Sequence, residues 1–405
     1  MPTVTVAGAN GQTVTLSYDT AANAVLAQQL AAAITAGVQN GSIIPAVDTN
    51  GPPPPVPSGK IGEFVQTQSG LTILPSGYKA LVDTAPISVV FGSGESGESV
   101  LSSTGDLSFF ATGGSGTVVA GGGNNRIVVQ PTAGNGFWSI NTGNGDDTIT
   151  SLGSGNRVIN AGGGHNAIMV GDGNNVIQTT GDDTVTAASG QETIAAIGKT
   201  SDLIFGNASS LNFVGTQGSA TIFGGTGHDT FFGGSGPDLV HGGTGGNNFL
   251  FAGTAGATLF GGGSGDQLFA AGTQDQALHA GAGTATLSGA FSSGAVTFFG
   301  GSGANQILGG LGNDTFVAGT GSATITAGPG HDLFLFIKGA AGGTSLIENF
   351  TSGPDTVSLQ GYGSNEVAQV LKNQQNIGGS TTIKLSDNTT ITFAGVSKLT
   401  PGDFS

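Results

Sequence analysis

A short repeat between residues 94 and 336 constrains the fold of this 405-residue chain more than any other feature. Each unit has glycine or a similar small residue at its first and third positions, an acid or amide at many of its fifth positions, and an apolar residue at its seventh. Twenty-six such units can be placed along the chain, and most of their 25 spacings are nine residues. In this alignment every seventh position is Val, Ile, Leu or Phe, which predicts one buried side chain per unit.

Short β-branched or aromatic runs between glycine-rich turns predict strands joined by tight turns. A fixed short period with one inward residue per strand predicts stacked coils, each of which buries its apolar residue against the next. Glycine, at 77 residues, suits turns that need a positive φ and a close approach of neighbouring backbones. We therefore predict an all-β protein, a parallel β-roll or β-helix solenoid of about 13 two-strand coils.

The segments before the repeat predict a small α+β start. Within residues 1–50, apolar and polar residues alternate from Val4 to Leu16 around Asn10-Gly11, which predicts a hairpin. An Ala-rich stretch follows and predicts a helix over 20–38. Residues 51–57, GPPPPVP, predict a stiff proline-rich linker. Residues 58–93 contain short apolar runs that predict strands leading into the solenoid.

The charge balance narrows the choice of partner. The chain has 25 Asp and Glu against 9 Lys and Arg, a net charge of −16. This balance argues against nucleic acid, which needs a basic surface, and against an anionic membrane surface. No run of 18 apolar residues occurs, so we expect no membrane span. The absence of Cys excludes disulfides, thiol catalysis and Cys-ligated zinc. A cation is the partner that the charge favours.

Four units resemble the RTX nonapeptide repeat G-G-x-G-x-D-x-U-x: GGTGHDTFF at 224–232, GGSGPDLVH at 233–241, GGLGNDTFV at 309–317 and AGPGHDLFL at 327–335. The resemblance implies a parallel β-roll in which turn carbonyls and Asp carboxylates of stacked turns bind a row of Ca²⁺ ions. Such a hard cation takes six to eight oxygen ligands.

The fifth positions supply the candidate calcium ligands. Asp314 and Asp332 are 18 residues apart, so they should lie one coil apart on the same edge and form the best pair. The next pairs are Asp229 with Asn247 and Asp183 with Asp202. The remaining candidates carry an acid or amide at the same position: Asp238, Asp147, Asn166 and Asn305.

Two interpretations of these fifth-position residues remain open. Between Lys199 and Lys338 the chain has seven Asp and no Lys or Arg, and stacked carboxylates without a counter-cation repel one another. This pattern favours bound calcium. The alternative is that the side chains only accept backbone N–H bonds in their turns. About half of the units lack such a residue, so we expect fewer sites than a complete roll would hold.

Residues 337–405 lie beyond the repeat and have a different sequence pattern. Strands are predicted at 381–385 and 389–394, as expected of a β cap that covers the last coil of a solenoid. The segment also resembles the C-terminal secretion signal of RTX proteins exported by type I secretion. That resemblance implies a secreted protein, located outside the cell or at its surface.

The motifs of common enzymes are absent. The sequence has no H-E-x-x-H and no G-x-S-x-G, and about 93 residues precede the repeat, too few for the separate catalytic module of RTX enzymes. We therefore do not expect an enzyme. The leading hypothesis is a secreted, calcium-binding structural protein that self-assembles into a filament, surface layer or biofilm matrix. Its expected partners are further copies of itself and a surface or matrix polysaccharide. The alternative is an RTX-type adhesin that binds a glycan or another surface as a monomer.

Overall fold

A computed structural model describes residues 1–48, 51–130 and 136–405. The chain divides into two compact units, Met1–Ile204 and Phe205–Ser405. In each unit, parallel strands alternate between two sheets, so that successive strands belong to opposite sheets and every second strand pairs. Ala220 aligns with Asp238, 18 residues later, for example. The prediction of an all-β parallel solenoid with two strands per coil is confirmed.

The first unit begins with an antiparallel hairpin and a helix, followed by the coils. Its even-numbered strands from β4 onward, together with β3, form one sheet, and its odd-numbered strands from β5 to β17 form the other. The elements are β1 (Thr3–Ala7), β2 (Thr13–Ser17), α1 (Ala21–Gln39), β3 (Ile43–Val47), β4 (Ile61–Gln66), β5 (Gly70–Ile73), β6 (Tyr78–Asp83), β7 (Ile87–Phe91), β8 (Ser96–Ser102), β9 (Asp106–Ala111), β10 (Ser115–Val119), β11 (Arg126–Val129), β12 (Trp138–Asn141), β13 (Thr148–Ser151), β14 (Arg157–Asn160), β15 (Ala167–Val170), β16 (Asn174–Thr179), β17 (Thr184–Ala187), β18 (Gln191–Ala196) and β19 (Ser201–Phe205).

The second unit continues the alternation and ends in a small antiparallel sheet with a short helix. Its even-numbered strands from β20 to β34 form one sheet and its odd-numbered strands from β21 to β35 the other. The elements are β20 (Ser210–Gly215), β21 (Ser219–Phe223), β22 (Thr230–Phe232), β23 (Asp238–His241), β24 (Phe249–Phe251), β25 (Ala257–Phe260), β26 (Asp266–Gly272), β27 (Gln276–His279), β28 (Ala285–Ser292), β29 (Val296–Phe299), β30 (Asn305–Leu308), β31 (Thr315–Val317), β32 (Ala323–Thr326), β33 (Leu333–Ile337), β34 (Thr344–Glu348), β35 (Thr356–Gln360), α2 (Glu366–Asn373), β36 (Gln375–Ile377), β37 (Ser380–Lys384) and β38 (Thr390–Phe393).

The hairpin and helix of residues 1–39 pack on the even-strand sheet of the first unit. Their Leu16, Ala27 and Ile34 share one buried core with Val82 and Leu101 of that sheet. This places the N-terminal segment against the solenoid of its own chain. Among the described residues, α1 is the one helix whose length and composition would allow it to cross a membrane, and about a third of it is buried within the protein.

A polar contact fixes the N-terminal end of α1 on the sheet. The Thr20 side chain accepts the backbone N–H of Asn23 and so caps the helix. The Asn23 side chain then donates to the carbonyl oxygens of Ala120 and Thr142, at 3.1 and 2.9 Å. These carbonyls belong to two successive coils, so one helix residue ties the N-terminal segment to both.

The proline-rich segment packs against the first coils. Pro53 is buried, and the carbonyl oxygen of Pro54 accepts the hydroxyl of Tyr78 at 2.8 Å. Strands β3 and β4, on either side of this segment, already pair in parallel. The parallel pairing of the solenoid therefore begins at Ile43, well before the repeat at residue 94.

The C-terminal residues extend the second unit. Strand β38 pairs in parallel with β34 and antiparallel with β37, and the two segments predicted as strands at 381–385 and 389–394 lie in β37 and β38. The backbone N–H of Ser405 donates to Val357 of β35 at 3.0 Å. The tail thus pairs with the edge of β35. The short helix α2 was not predicted.

The seventh-position side chains stack inside the coils. Phe298, Phe316 and Phe334 lie one above the other with ring centroids 5.1 and 4.9 Å apart, and each ring is almost fully buried. The register differs from the sequence alignment at three units. Leu250, Leu268 and Phe298 point inward where the alignment placed Phe249, Phe269 and Val296. Glycine-rich turns permit more than one unit start, and strand pairing decides between them.

Replacing the middle ring of this stack tests the importance of the core. Phe316→Ala should destabilise the protein by about 3–5 kcal/mol because it removes a buried ring and leaves a cavity between two others. Urea unfolding followed by circular dichroism measures the change. Phe232→Ala is the matched control, since Phe232 is 41% exposed on the outer face of its strand. Equal losses from the two variants would contradict this account of the core.

Candidate metal centre

The fifth-position residues form columns of buried polar side chains. Each side-chain oxygen accepts the backbone N–H of the fifth-position residue one coil earlier. Val296 donates to Asp314 at 2.8 Å, and Asp314 donates to Asp332 at 2.9 Å. The best predicted pair, Asp314 and Asp332, therefore lies on one edge and one coil apart, as expected.

In the first unit, four predicted residues form one continuous column. Each N–H in it donates to the side chain of the next coil, and the donor-to-acceptor steps are Leu107 to Asn125 at 3.2 Å, Asn125 to Asp147 at 2.7 Å, Asp147 to Asn166 at 2.9 Å, Asn166 to Asp183 at 3.0 Å and Asp183 to Asp202 at 3.2 Å. All five side chains that accept are buried. Asn166 also donates its side-chain amide to Asp183 at 2.7 Å, as Asn125 does to Asp147 at 3.0 Å.

In the second unit, both edges of the solenoid carry such residues, and they follow the same rule. Asp229, Asp238 and Asn305 accept the N–H groups of Leu211, Ala220 and Ala285, each at 2.9 Å. Asp332 donates in turn to Asp355 at 3.1 Å. The sequence analysis missed Asp355 because the repeat was ended at residue 336. The spacing T351-x-G353-x-D355-x-V357 would have identified it.

Asn247 does not lie in the column. Its backbone has a φ of 60°, and its side chain is exposed in the turn. The neighbouring Asn248 is fully buried and accepts the N–H of Asp229 at 2.8 Å. Asn248 then donates its own N–H to Asp266 at 2.9 Å, a second residue that the shifted alignment missed. The doubled amide in GGTGGNN left the register ambiguous, and the pairing of β22, β24 and β26 determines it.

The two adjacent asparagines make a matched test of this register. Asn248→Ala removes an acceptor for Asp229 and the donor to the Gly242 and Gly245 carbonyls, at 3.0 and 2.9 Å. Buried groups left unpaired cost about 1–3 kcal/mol each, so the melting temperature should fall clearly. Asn247→Gly should change it little, since glycine tolerates a positive φ. A larger loss for the Asn247 variant would contradict the register.

The second carboxylate oxygens separate the aspartates into two groups. In Asp314, Asp266 and Asp355 that oxygen accepts a turn N–H, from Gly310, Gly262 and Thr351 at 2.6, 2.8 and 2.7 Å. These residues behave as turn acceptors. In a second group the corresponding oxygen is buried and has no hydrogen-bond partner among the described residues. That group comprises Asp147, Asp183, Asp229, Asp238 and Asp332.

Burial of these carboxylates disfavours their charged form. It raises the pKa of Asp229, Asp238 and Asp332 to about 6. For Asp332, the N–H bond from Asp314 works against this rise, while the like charges of Asp314 and Asp355 add to it. A bound cation would remove the cost of holding such groups ionised at neutral pH.

Stacked turns bring backbone carbonyl oxygens of one coil close to the glycines of the next. Gly243 has a φ of 76°, and a Cβ there would lie 2.0 Å from the carbonyl oxygen of Gly225 in the turn below. A Cβ at Gly262 would likewise lie 2.1 Å from the carbonyl oxygen of Gly243. Only glycine permits this approach. The stack therefore offers carbonyl oxygens, which are suitable ligands for Ca²⁺.

One pair of turns already holds a cation of the chain itself. Arg157 occupies a fifth position of the even-strand sheet in the first unit and is almost fully buried. Its guanidinium donates to the carbonyl oxygens of Gly136, Asn156 and Leu152 at 2.8, 3.1 and 3.3 Å. No carboxylate contributes to these bonds. Turn carbonyls of this solenoid can thus accommodate positive charge.

The donor set fits calcium. The described residues contain no cluster of three or more His, Asp or Glu side chains that could hold a metal by themselves. A cation would therefore be held by a spare carboxylate oxygen, such as those of Asp229, Asp238 and Asp332, together with turn carbonyls. Oxygen ligands of this kind suit Ca²⁺ rather than zinc, which prefers His and Cys.

A parallel β-roll with aspartates in its glycine-rich turns defines a class of calcium-binding repeat protein. The comparison with protein families agrees. Residues 214–249, 292–316 and 299–334 match the RTX calcium-binding nonapeptide repeat, in four copies. These ranges cover less than half of the chain and include Asp229, Asp238, Asp314 and Asp332. The chain is an RTX-type β-roll protein, and Ca²⁺ is the cofactor of its repeats. No curated protein matches it.

Proposed function

We propose that this calcium-binding repeat protein is secreted and acts as a structural component that assembles outside the cell, in a filament, a surface layer or a biofilm matrix. The observation that carries the proposal is how much of the described chain belongs to the solenoid. Parallel-paired coils make up most of each unit, from Ile43 onward in the first unit and as far as β38 in the second, and the N-terminal hairpin and helix pack on the first unit. Almost all described residues therefore belong to solenoid coils or to segments that cover them.

The surface cavities have a shape that suits contact with another extended surface. A groove of about 610 Å³ lies on the outer face of the second unit and is lined by residues such as Thr221, Thr258 and Ala277. Another, of about 510 Å³, is lined by residues such as Phe269, Thr286 and Leu308. Both are open furrows along a sheet. Neither contains a cluster of three acid or His side chains among the described residues.

Electron microscopy of the purified chain tests the proposal. With millimolar Ca²⁺ we expect regular assemblies, and with EDTA we expect them to be lost. Light scattering at the same protein concentrations provides the matching measurement in solution. A protein that stays monomeric at high Ca²⁺ and high concentration would contradict the proposal.

One observation favours the second candidate function, that of an adhesin. The outer face of the even-strand sheet in the second unit carries a cluster of phenylalanines. Phe232 and Phe291 are 41% and 61% exposed, and Phe251 contacts both of their rings. Exposed apolar patches of this kind often bind a partner. Binding of immobilised surface or matrix polysaccharides by a monomeric protein, lost in Phe291→Ala, would favour this function over assembly.

A further inference from the structure

The outer face of the odd-strand sheet in the second unit carries a continuous stack of aromatic rings. The rings come from aligned positions of successive odd-numbered strands, beginning at the last residue of β19, which is the first residue of the second unit. We call them the aromatic ridge: Phe205, Phe223, His241, Phe260, His279 and Phe299. Their successive centroid distances are 5.4, 5.1, 4.4, 4.2 and 4.1 Å, and neighbouring planes differ by at most 18°.

This stacking determines what the ridge can bind. Each internal ring has a neighbouring ring on both faces, so its faces are not available to a flat ligand such as a sugar ring. The ring edges point outward and form a raised apolar line. At roughly 4.8 Å per strand layer, six rings extend about 24 Å. A line of edges suits insertion into a furrow of similar length.

Such a furrow lies beside the ridge on the same sheet face. Two residues before each ring, the strands carry smaller outward side chains at Thr221, Leu239, Thr258, Ala277 and Thr297. Together with turn residues, these form the 610 Å³ groove described above, which we call the side groove. The ridge and the side groove therefore run in parallel across the same five coils, from β21 to β29.

A surface with a ridge and a groove side by side is complementary to itself. Consider a two-fold axis that lies on this face, parallel to the stacking direction of the coils. Rotation about it brings a second copy face to face with the first and reverses the order of ridge and groove along the strand direction. The ridge of a second copy would then lie above the side groove of the first, and the reverse contact would form at the same time. This is the isologous arrangement of a C2 dimer.

Charge also favours a second copy on this face. The chain has a net charge of −16, so two copies repel through most orientations. Among the described residues of β21, β23, β25, β27 and β29, the outward positions carry no Asp, Glu, Lys or Arg. The exposed Asp275 lies at the rim of the side groove. With coils in register, it would lie beside His279 of the second copy, which can donate to it.

We propose that the aromatic ridge of one copy packs into the side groove of a second copy, forming a dimer whose two solenoids run in the same direction. This inference rests on the proposed function, for which it names the first contact. At the centre of the contact, ring edges would pack on the small side chains of the side groove, such as Thr258 and Ala277, with the Asp275–His279 contacts at its edge. Each copy leaves the phenylalanine cluster of its other sheet free for further contacts.

A pair of matched variants tests the dimer. Thr258→Lys places a charge in the side groove, whereas Thr286→Lys places the same charge on the outer face of the other sheet, in an equally half-buried position. Sedimentation velocity of the full chain with saturating Ca²⁺ should give a dimer for the unsubstituted protein and for Thr286→Lys. For Thr258→Lys, the dissociation constant should rise at least tenfold, equivalent to about 1.4 kcal/mol. Phe260→Ala, which removes a central ridge ring, should also weaken the dimer.

Circular dichroism and melting curves confirm that each variant is folded, and Phe260→Ala provides a second test if Thr258→Lys is not. A dimer that survives Thr258→Lys and dissociates with Thr286→Lys would overturn the inference and place the contact on the other sheet. If the unsubstituted chain forms assemblies in the microscope and every ridge and groove variant associates as it does, the dimer alone is overturned. A chain that neither dimerises nor assembles would overturn both the dimer and the proposed function.

Discussion

Chelation of Ca²⁺ by EDTA is expected to lower the melting temperature of this protein and to reduce its β-sheet circular dichroism. The metal binds the folded chain and stabilises it by mass action, by about 2.7 kcal/mol for each site at a free concentration 100 times the dissociation constant. Several candidate ligands with a spare carboxylate oxygen stack along the coils, so the effect of metal loss should be large. Addition of Ca²⁺ should restore the melting temperature, and Mg²⁺, which needs a stricter octahedral geometry, should restore it poorly.

Two aspartates on the same edge, two coils apart, provide the control for this experiment. Asp238 is buried, and one of its carboxylate oxygens has no hydrogen-bond partner among the described residues, whereas Asp275 is exposed in its turn. Asp238→Asn should reduce the gain in melting temperature that Ca²⁺ produces, and Asp275→Asn should leave that gain unchanged. If EDTA has no effect, the columns are only turn acceptors, and the apolar core and backbone pairing hold the coils without metal.

The free energy of unfolding should fall as the pH rises from 6.5 to 8, and Glu63 should account for much of that slope. Glu63 of β4 is fully buried, and neither of its carboxylate oxygens has a hydrogen-bond partner among the described residues. It lies two residues from Val65, on the face covered by the N-terminal helix. Burial raises the pKa of Glu63 from 4.5 to about 8.

The sign of this effect follows from proton linkage. Below the ordinary pKa of 4.5 the carboxyl is neutral in both states and costs nothing extra. Between pH 4.5 and 8 the unfolded chain releases the proton while the folded chain keeps it, so a rise in pH favours unfolding, by up to about 1.4 kcal/mol per pH unit. Burial raises the pKa of Asp229 and Asp238 only to about 6, so the upper part of this pH window, towards pH 8, is assigned mainly to Glu63.

Urea unfolding at several pH values, with Ca²⁺ present throughout, measures this slope. Glu63→Gln should flatten it because the amide does not titrate. Glu95→Gln is the control, since Glu95 accepts bonds from Ser76 and Gly77 and its pKa is lowered. It is ionised in both states above pH 6.5, so its replacement should shift the whole curve without changing the slope. A slope that persists in Glu63→Gln would show that another group titrates.

The candidate site was predictable wherever the repeat is regular. Asp229, Asp238, Asp314 and Asp332 lie in turns that match the repeat closely, and each is buried in its column. At Asn247 the predicted register is wrong. In a run such as GGTGGNN the unit can begin at either of two glycines, and only the pairing of the strands selects Asn248. Asp355 was missed for a related reason, because its unit is separated from the preceding one by a longer insertion.

Local sequence was enough to predict the class of fold, the two-strand coil and the kind of cation, because an apolar residue and a turn acid recurring every nine residues act locally and repeat at each coil. Tertiary structure alone decided which carboxylates keep a spare oxygen, since that depends on whether a turn N–H from another part of the coil reaches it. It also decided that the N-terminal helix covers Glu63 and that rings and small side chains align as ridge and groove. These are contacts between residues far apart in the chain, and no local pattern encodes them.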